Sequence, residues 1–166
     1  MKAIVHKFGN DINTDLIISG RYKFSITDPK ELAKHVFEDI DPDFHKKLSK
    51  DRFFVAAGNN FGCGSSREQA PIALKYAGVH AVLAKSFARI FYRNGFNLGL
   101  PLIECNTDLI KEGEIIEVDL EKGIVRGGQK EYIIRMKPFT KFQKALIEED
   151  GIVNYYKKHK GLRISG

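Results

Sequence analysis

Residues 53–78 set the terms for any fold this chain can adopt. The apolar run Phe53-Phe54-Val55-Ala56-Ala57 reads as a short buried strand. A glycine-rich polar stretch follows, Asn59-Asn60-Phe61-Gly62-Cys63-Gly64-Ser65-Ser66-Arg67-Glu68-Gln69, and a helix-compatible segment from Pro71 to Tyr76 ends at Gly78. A strand that leaves through a loop into a helix is a building block of α/β proteins. The glycines flanking Cys63 allow a sharp turn or positive φ. Two serines and an arginine then arrive just before the helix. Backbone N–H groups, the positive end of the helix dipole and a guanidinium converge on one small volume suited to a carboxylate or phosphate.

The same residues fit a capping box, with Ser65 as N-cap and Glu68 reaching back. Pro71 argues against it, because proline would then lie beyond the first helical turn. A helix starting nearer Glu68 leaves both serines in the loop. Nucleotide motifs do not fit. Arg67 stands where a dinucleotide fingerprint needs its third glycine, and there is no Gly-Lys-Ser/Thr phosphate loop.

Before this unit, Lys2 to Phe8 alternates as a strand does. Asp11, Asn13 and Asp15 imitate the start of a calcium loop, but Leu16 replaces the turn glycine and Tyr22 the closing Glu. Residues 9–15 therefore read as a polar loop and residues 17–25 as a mobile one. Asp28-Pro29-Lys30-Glu31 opens a helix, with Asp28 as cap, Pro29 in the first position and Glu31 completing a box. Leu32, Val36 and Phe37 form its apolar face, and His35 reads as a surface or packing residue.

After the central unit, His80 to Lys85 reads as a second buried strand and Ser86 to Asn94 as a helix closed by Gly95. Arg89 and Arg93 lie one turn apart and fit either an anion or salt-bridged framework, with framework preferred. Leu98 to Ile103 is a short apolar element. Glu114 to Leu120, Ile124 to Arg126 and Glu131 to Arg135 alternate between turns as a β meander. Phe139, Phe142 and Leu146 mark a helix, and a last short helix follows Gly151.

The chain has 166 residues, a 43% hydrophobic fraction and only two cysteines, Cys63 and Cys105. That bounds it to one globular domain over residues 1–166, with neither a disulfide framework nor the cysteines to ligate an iron–sulfur cluster. No apolar run spans a bilayer and no signal peptide precedes the first strand, so a cytoplasmic, reducing location is expected. The net charge of +6 suits an anionic substrate, an acidic partner subunit or nucleic acid. Lys157-Lys158-His159-Lys160 reads as a solvated end.

The segment Asn60 to Glu68 resembles the small subunit of the aconitase superfamily, specifically 3-isopropylmalate dehydratase. The likeness extends to Lys85-Ser86-Phe87-Ala88-Arg89-Ile90-Phe91-Tyr92-Arg93-Asn94, Gly99-Leu100-Pro101-Leu102, Asn13-Thr14-Asp15 and Gly20-Arg21-Tyr22. These blocks occur in family order over about residues 5 to 105, leaving the meander and helices of about 114 to 160. The resemblance implies an α/β, three-layer β/β/α swivelling domain. It implies a hydro-lyase that interconverts 2- and 3-isopropylmalate for leucine synthesis. A large subunit would carry the 4Fe–4S cluster, this chain would bind no metal or cofactor, and it would be inactive alone.

By the same resemblance Ser65 is the catalytic base and Asp15 assists it. Ser66, Arg67, Arg21 and Thr14 hold substrate, and Tyr22, Lys23, Phe24 and Ser25 form the specificity loop. Phe24 favours an apolar group such as isopropyl, because a carboxylate buried against it without a partner is costly. Alternatives in the same family are homoaconitase and dimethylmalate-type dehydratases, whose substrates are di- or tricarboxylate hydroxy acids. Outside it stands a non-catalytic anion- or RNA-binding module. The isolated chain could also self-associate.

Overall fold

A computed structural model describes residues 1–22, 25–48, 51–128 and 132–161. The strand of the opening argument, β2 (Phe53–Ala57), is buried at every position. Parallel partners flank it. β1 (Lys2–Lys7) pairs on one side, with Ile4 opposite Phe53, and β3 (Val79–Ala84) on the other, with Val55 opposite Val82. β4 (Leu102–Glu104) adds a parallel edge to β3. A strand enclosed on both faces should be continuously apolar, and β2 is.

The meander is β5 (Ile115–Asp119), β6 (Ile124–Arg126) and β7 (Ile133–Arg135). It joins β1 antiparallel, with Ile4 opposite Ile115, giving one seven-stranded sheet in the order β4-β3-β2-β1-β5-β6-β7. Burial alternates along β5, as in a sheet with one wet face. The two sheet edges then meet. Cys105, just past β4, bridges antiparallel to Met136, just past β7, and the Lys137 N–H donates to the Glu104 carbonyl at 2.9 Å. The sheet is thus curled so that its halves face one another. This mixed sheet with its helices is of the α/β class that the resemblance implies.

Six helices complete the described fold: α1 (Thr14–Ile17), α2 (Pro29–Ala33), α3 (Gln69–Tyr76), α4 (Arg89–Asn97), α5 (Lys141–Glu148) and α6 (Ile152–His159). Four details differ from the sequence reading. The polar loop and the supposed mobile loop contain α1, which Asn13 caps by accepting from the Leu16 N–H, and a 3-10 turn at Gly20–Tyr22. Asp28 caps α2 as expected, but Glu31 pairs with Lys34 instead of closing a box. Val36 and Phe37 are core residues beyond the helix end, with the Phe37 N–H donating to the Ile17 carbonyl at 2.9 Å.

The fourth difference concerns Gly95, which lies inside α4 rather than closing it. Its role is close packing, since a Cβ there would meet Leu102 Cδ1 at 2.5 Å. The preceding residues, 86–88, run extended because Phe61 and Phe87 form a parallel bridge.

Candidate functional site

The loop after β2 is strapped from both sides. Toward the N-terminus, the Gly62 N–H donates to the Ile12 carbonyl at 2.7 Å and the Thr14 N–H to the Cys63 carbonyl at 2.9 Å. Toward α4, the Phe61 N–H donates to the Ser86 carbonyl and the Ala88 N–H to the Phe61 carbonyl, each at 3.0 Å. Phe61 is fully buried and meets Phe91 edge-on at 5.3 Å. Gly62, at φ +78°, lies so close to that ring that a Cβ would stand 2.1 Å from Phe91 Cγ.

Past Cys63 the backbone bonding stops. Among the described residues no acceptor receives the N–H of Gly64, Ser65, Ser66, Arg67 or Glu68. α3 begins at Gln69, its N-cap Glu68 makes no side-chain cap bond, and Ser65 and Ser66 are exposed. The capping-box alternative is therefore not the arrangement here, and the later helix start that Pro71 favoured is. Ser65 is held instead through its carbonyl, which accepts from Thr14 Oγ1 at 2.9 Å.

Arg67 lies beneath these donors with its side chain only 13% exposed. It makes an ion pair with Asp15, whose carboxylate is 51% exposed. Its Nη1 contacts Asp15 Oδ1 without hydrogen-bond geometry, and its Nε has no acceptor among the described residues. The 3-10 turn faces this pair, because a methyl on Gly20 would lie 3.4 Å from both Arg67 Nη1 and Asp15 Oδ1. Thr14, buried at 2% exposure, closes the floor.

Not every expected site residue converges. Arg21 turns outward, pairing with Asp39 and donating from Nε to Ser19 Oγ at 3.2 Å. Tyr22 donates to the Glu38 carboxylate at 2.9 Å and stacks on His35 with ring centroids 4.0 Å apart. His35 Nδ1 lies 2.6 Å from Glu38, so His35 packs as the sequence reading had it. The hydrogen bond to His35, joined by that from Tyr22, holds the Glu38 carboxyl below its usual range against the opposing effect of burial. Ser25 Oγ donates to the Arg21 carbonyl at 3.3 Å. Lys23 and Phe24, the centre of the expected specificity loop, lie outside the described residues.

A cleft of about 750 Å³ opens over the serine loop, lined by Thr14, Ser65, Ser66 and Arg67 on one wall. The other wall is the first turn of α4, from Arg89 to Arg93. Here the framework reading of the two arginines fails. Both are exposed, and neither makes an ion pair or hydrogen bond among the described residues. Ile90 between them is 46% exposed. Their spacing placed them on one helical face, but the lack of an acidic partner among the described residues is a tertiary fact.

Among the described residues no group of three or more His, Cys, Asp or Glu side chains could hold a metal ion. Burial pushes the Cys105 thiol up to about 12, which leaves it without a thiolate at neutral pH. No helix among the described residues is long and apolar enough to cross a membrane. The site offers free N–H donors, an exposed hydroxyl and a half-satisfied guanidinium, all suited to a carboxylate.

Comparison with known proteins narrows the reading. A family profile described as the aconitase C-terminal domain matches residues 11–107. A "3-isopropylmalate dehydratase small subunit 2" from Archaeoglobus fulgidus is 54% identical over 158 residues, 95% of each chain. A "Methanogen homoaconitase small subunit" from Methanocaldococcus jannaschii is 50% identical over 160 residues, covering 96% of this chain and 93% of that one. A crystal structure of a 3-isopropylmalate dehydratase from the same genus superposes with a TM-score of 0.91 at 50% identity. It covers 96% of this chain and 94% of its own.

Proposed function

The chain belongs to the aconitase C-terminal domain family, among small subunits of the 3-isopropylmalate dehydratase type, and we propose that it completes the active site of a hydro-lyase interconverting 2- and 3-isopropylmalate. The observation that carries this reading is the run of free N–H groups around the exposed Ser65 hydroxyl, backed by Arg67. The reaction removes a carbon-bound proton and a neighbouring hydroxyl as water, then returns them with positions exchanged. Ser65 takes and returns the proton. Its hydroxyl is a weak base unless the alkoxide is stabilised, and the N–H groups of residues 64–68 with the Arg67 guanidinium supply that stabilisation.

Arg67 also clamps a substrate carboxylate. Asp15 occupies one edge of its guanidinium and fixes its plane, leaving Nε for the substrate. Ser66 adds a hydroxyl, and Thr14 holds the loop by its bond to the Ser65 carbonyl. Arg21 reaches a carboxylate in the assembled enzyme only by leaving Asp39.

On this reading a 4Fe–4S cluster is carried by the large subunit. Such a cluster, when bound there, supplies the Lewis acid for the departing hydroxyl. The reading makes residues 1–166 a single domain, supported by the meander extending the sheet that β1 begins. It places the chain in the cytoplasm, where two unbridged cysteines are at home.

A homoaconitase-type substrate is the second reading, favoured by the methanogen relative. One experiment addresses both. The chain is combined with a cluster-reconstituted large subunit and kcat/KM is measured for isopropylmaleate and for homoaconitate hydration. Preference for isopropylmaleate is expected. Preference for the tricarboxylate would transfer the assignment to homoaconitase, and no turnover of either would refute the dehydratase reading.

A further inference from the structure

α4 presents an unusual surface beside the site. Arg89 and Arg93 sit one turn apart on its exposed face, and like charges at that spacing repel in an isolated helix. Among the described residues neither pairs with a carboxylate, whereas Arg21, Arg67 and Arg126 each do. Ile90 adds exposed apolar surface between them. The N-cap of α4, Ala88, makes no side-chain cap bond, and this positive helix end lines the same opening.

We propose that this first turn of α4 is the surface on which the large subunit docks, with Arg89 and Arg93 pairing with carboxylates of that partner and Ile90 packing against its apolar surface. The inference rests on the dehydratase reading only for the existence of the partner. A small dianionic substrate is the weaker occupant for two reasons. Cations in open water gain little from an ion pair, and Arg67 already provides a nearly buried clamp. A protein surface would desolvate both arginines and cover Ile90 together, which is the composition of an interface core with charged anchors. These residues also line the cleft shared with Ser65, so a partner seated here would close the reaction volume from its open side.

The test titrates the full-length chain into cluster-reconstituted large subunit. Complex formation is read by calorimetry at several salt concentrations, alongside turnover of 3-isopropylmalate. Arg89→Glu with Arg93→Glu is compared with wild type. Arg89→Gln with Arg93→Gln serves as the milder pair should charge reversal disturb folding, checked by thermal melting. The proposal expects Kd to rise about tenfold or more for the Glu pair and less for the Gln pair, with a shallower salt dependence. KM at saturating chain should stay within about twofold, because the arginines are assigned to the partner.

An unchanged Kd would overturn the proposal. A raised KM with unchanged Kd would overturn it in favour of a substrate anion subsite, and failure of the wild-type chain to bind would overturn it too. If wild type binds, the variants bind more weakly and the complex turns over no hydroxy acid, the docking surface stands and the dehydratase reading falls.

Discussion

Thr14 and Ser65 are joined by one hydrogen bond across the sequence, the Thr14 Oγ1–H donating to the Ser65 carbonyl at 2.9 Å. The bond comes from a threonine with only 2% exposure, and its own N–H holds the Cys63 carbonyl. A segment at the start of the chain therefore fixes the loop whose N–H groups remain free. Thr14→Val keeps the shape and removes the hydroxyl. Turnover of the reconstituted enzyme is expected to fall by up to about a hundredfold, since small displacements of reacting groups are costly. The unfolding free energy should fall by about 1 kcal/mol. Thr14→Ser should recover most of both, as measured by steady-state kinetics and urea melts.

Arg67→Lys tests whether the planar fork matters. Lysine keeps the charge and the reach toward Asp15 but loses the second donor edge. A loss of about 2 kcal/mol in transition-state binding is expected, appearing as a kcat/KM lowered by about thirtyfold. Assembly with the large subunit should be unaffected, which size-exclusion chromatography can check.

Gly62 and Gly113 offer a matched pair for backbone strain. Both have positive φ, +78° and +74°, but only Gly62 faces an obstacle, the Phe91 ring. Gly113→Ala should cost about 1 kcal/mol from the left-handed backbone alone. Gly62→Ala adds the collision and should cost about 3 kcal/mol or more. Denaturant unfolding of the two variants reads the difference directly.

The Tyr22, Glu38 and His35 group gives a pH dependence with a definite sign. Glu38 is held below the ordinary carboxylate range in the folded chain, chiefly by the hydrogen bond to His35 and then by that from Tyr22. A lowered folded value means that the stabilisation is complete above the unfolded value and is lost as pH falls through the folded one. Glu38→Gln should therefore lower stability most at neutral pH and progressively less as pH falls below about 5, flattening the profile on the acid side, measured by thermal melts across pH.

The strand-loop-helix unit was legible because its signals are local. The apolar run of β2 and the position of Pro71 lie within one short window, and both act through backbone sterics and burial. Gly95 was misread as a helix end because its actual partner, Leu102, belongs to the following strand. α1 was missed because four residues carry almost no periodicity; its stability comes from the Asn13 cap and the bond to Cys63. The role of Arg89 and Arg93 depended on which acids the fold brings near, and among the described residues neither side chain finds an acidic partner. Arg21 shows the converse, since Asp39 lies too far along the chain for spacing to announce the pair.

Ser65 as the proton-transfer group is the claim on which the chemistry depends, and Ser65→Ala tests it most directly. The exposed hydroxyl bonds nothing that the fold requires, so the variant should fold, bind the large subunit and keep its Kd. Single-turnover hydration of isopropylmaleate by the reconstituted complex should fall by at least about a thousandfold. Turnover within a few-fold of wild type, with assembly intact, would contradict the assignment and move the base to another residue.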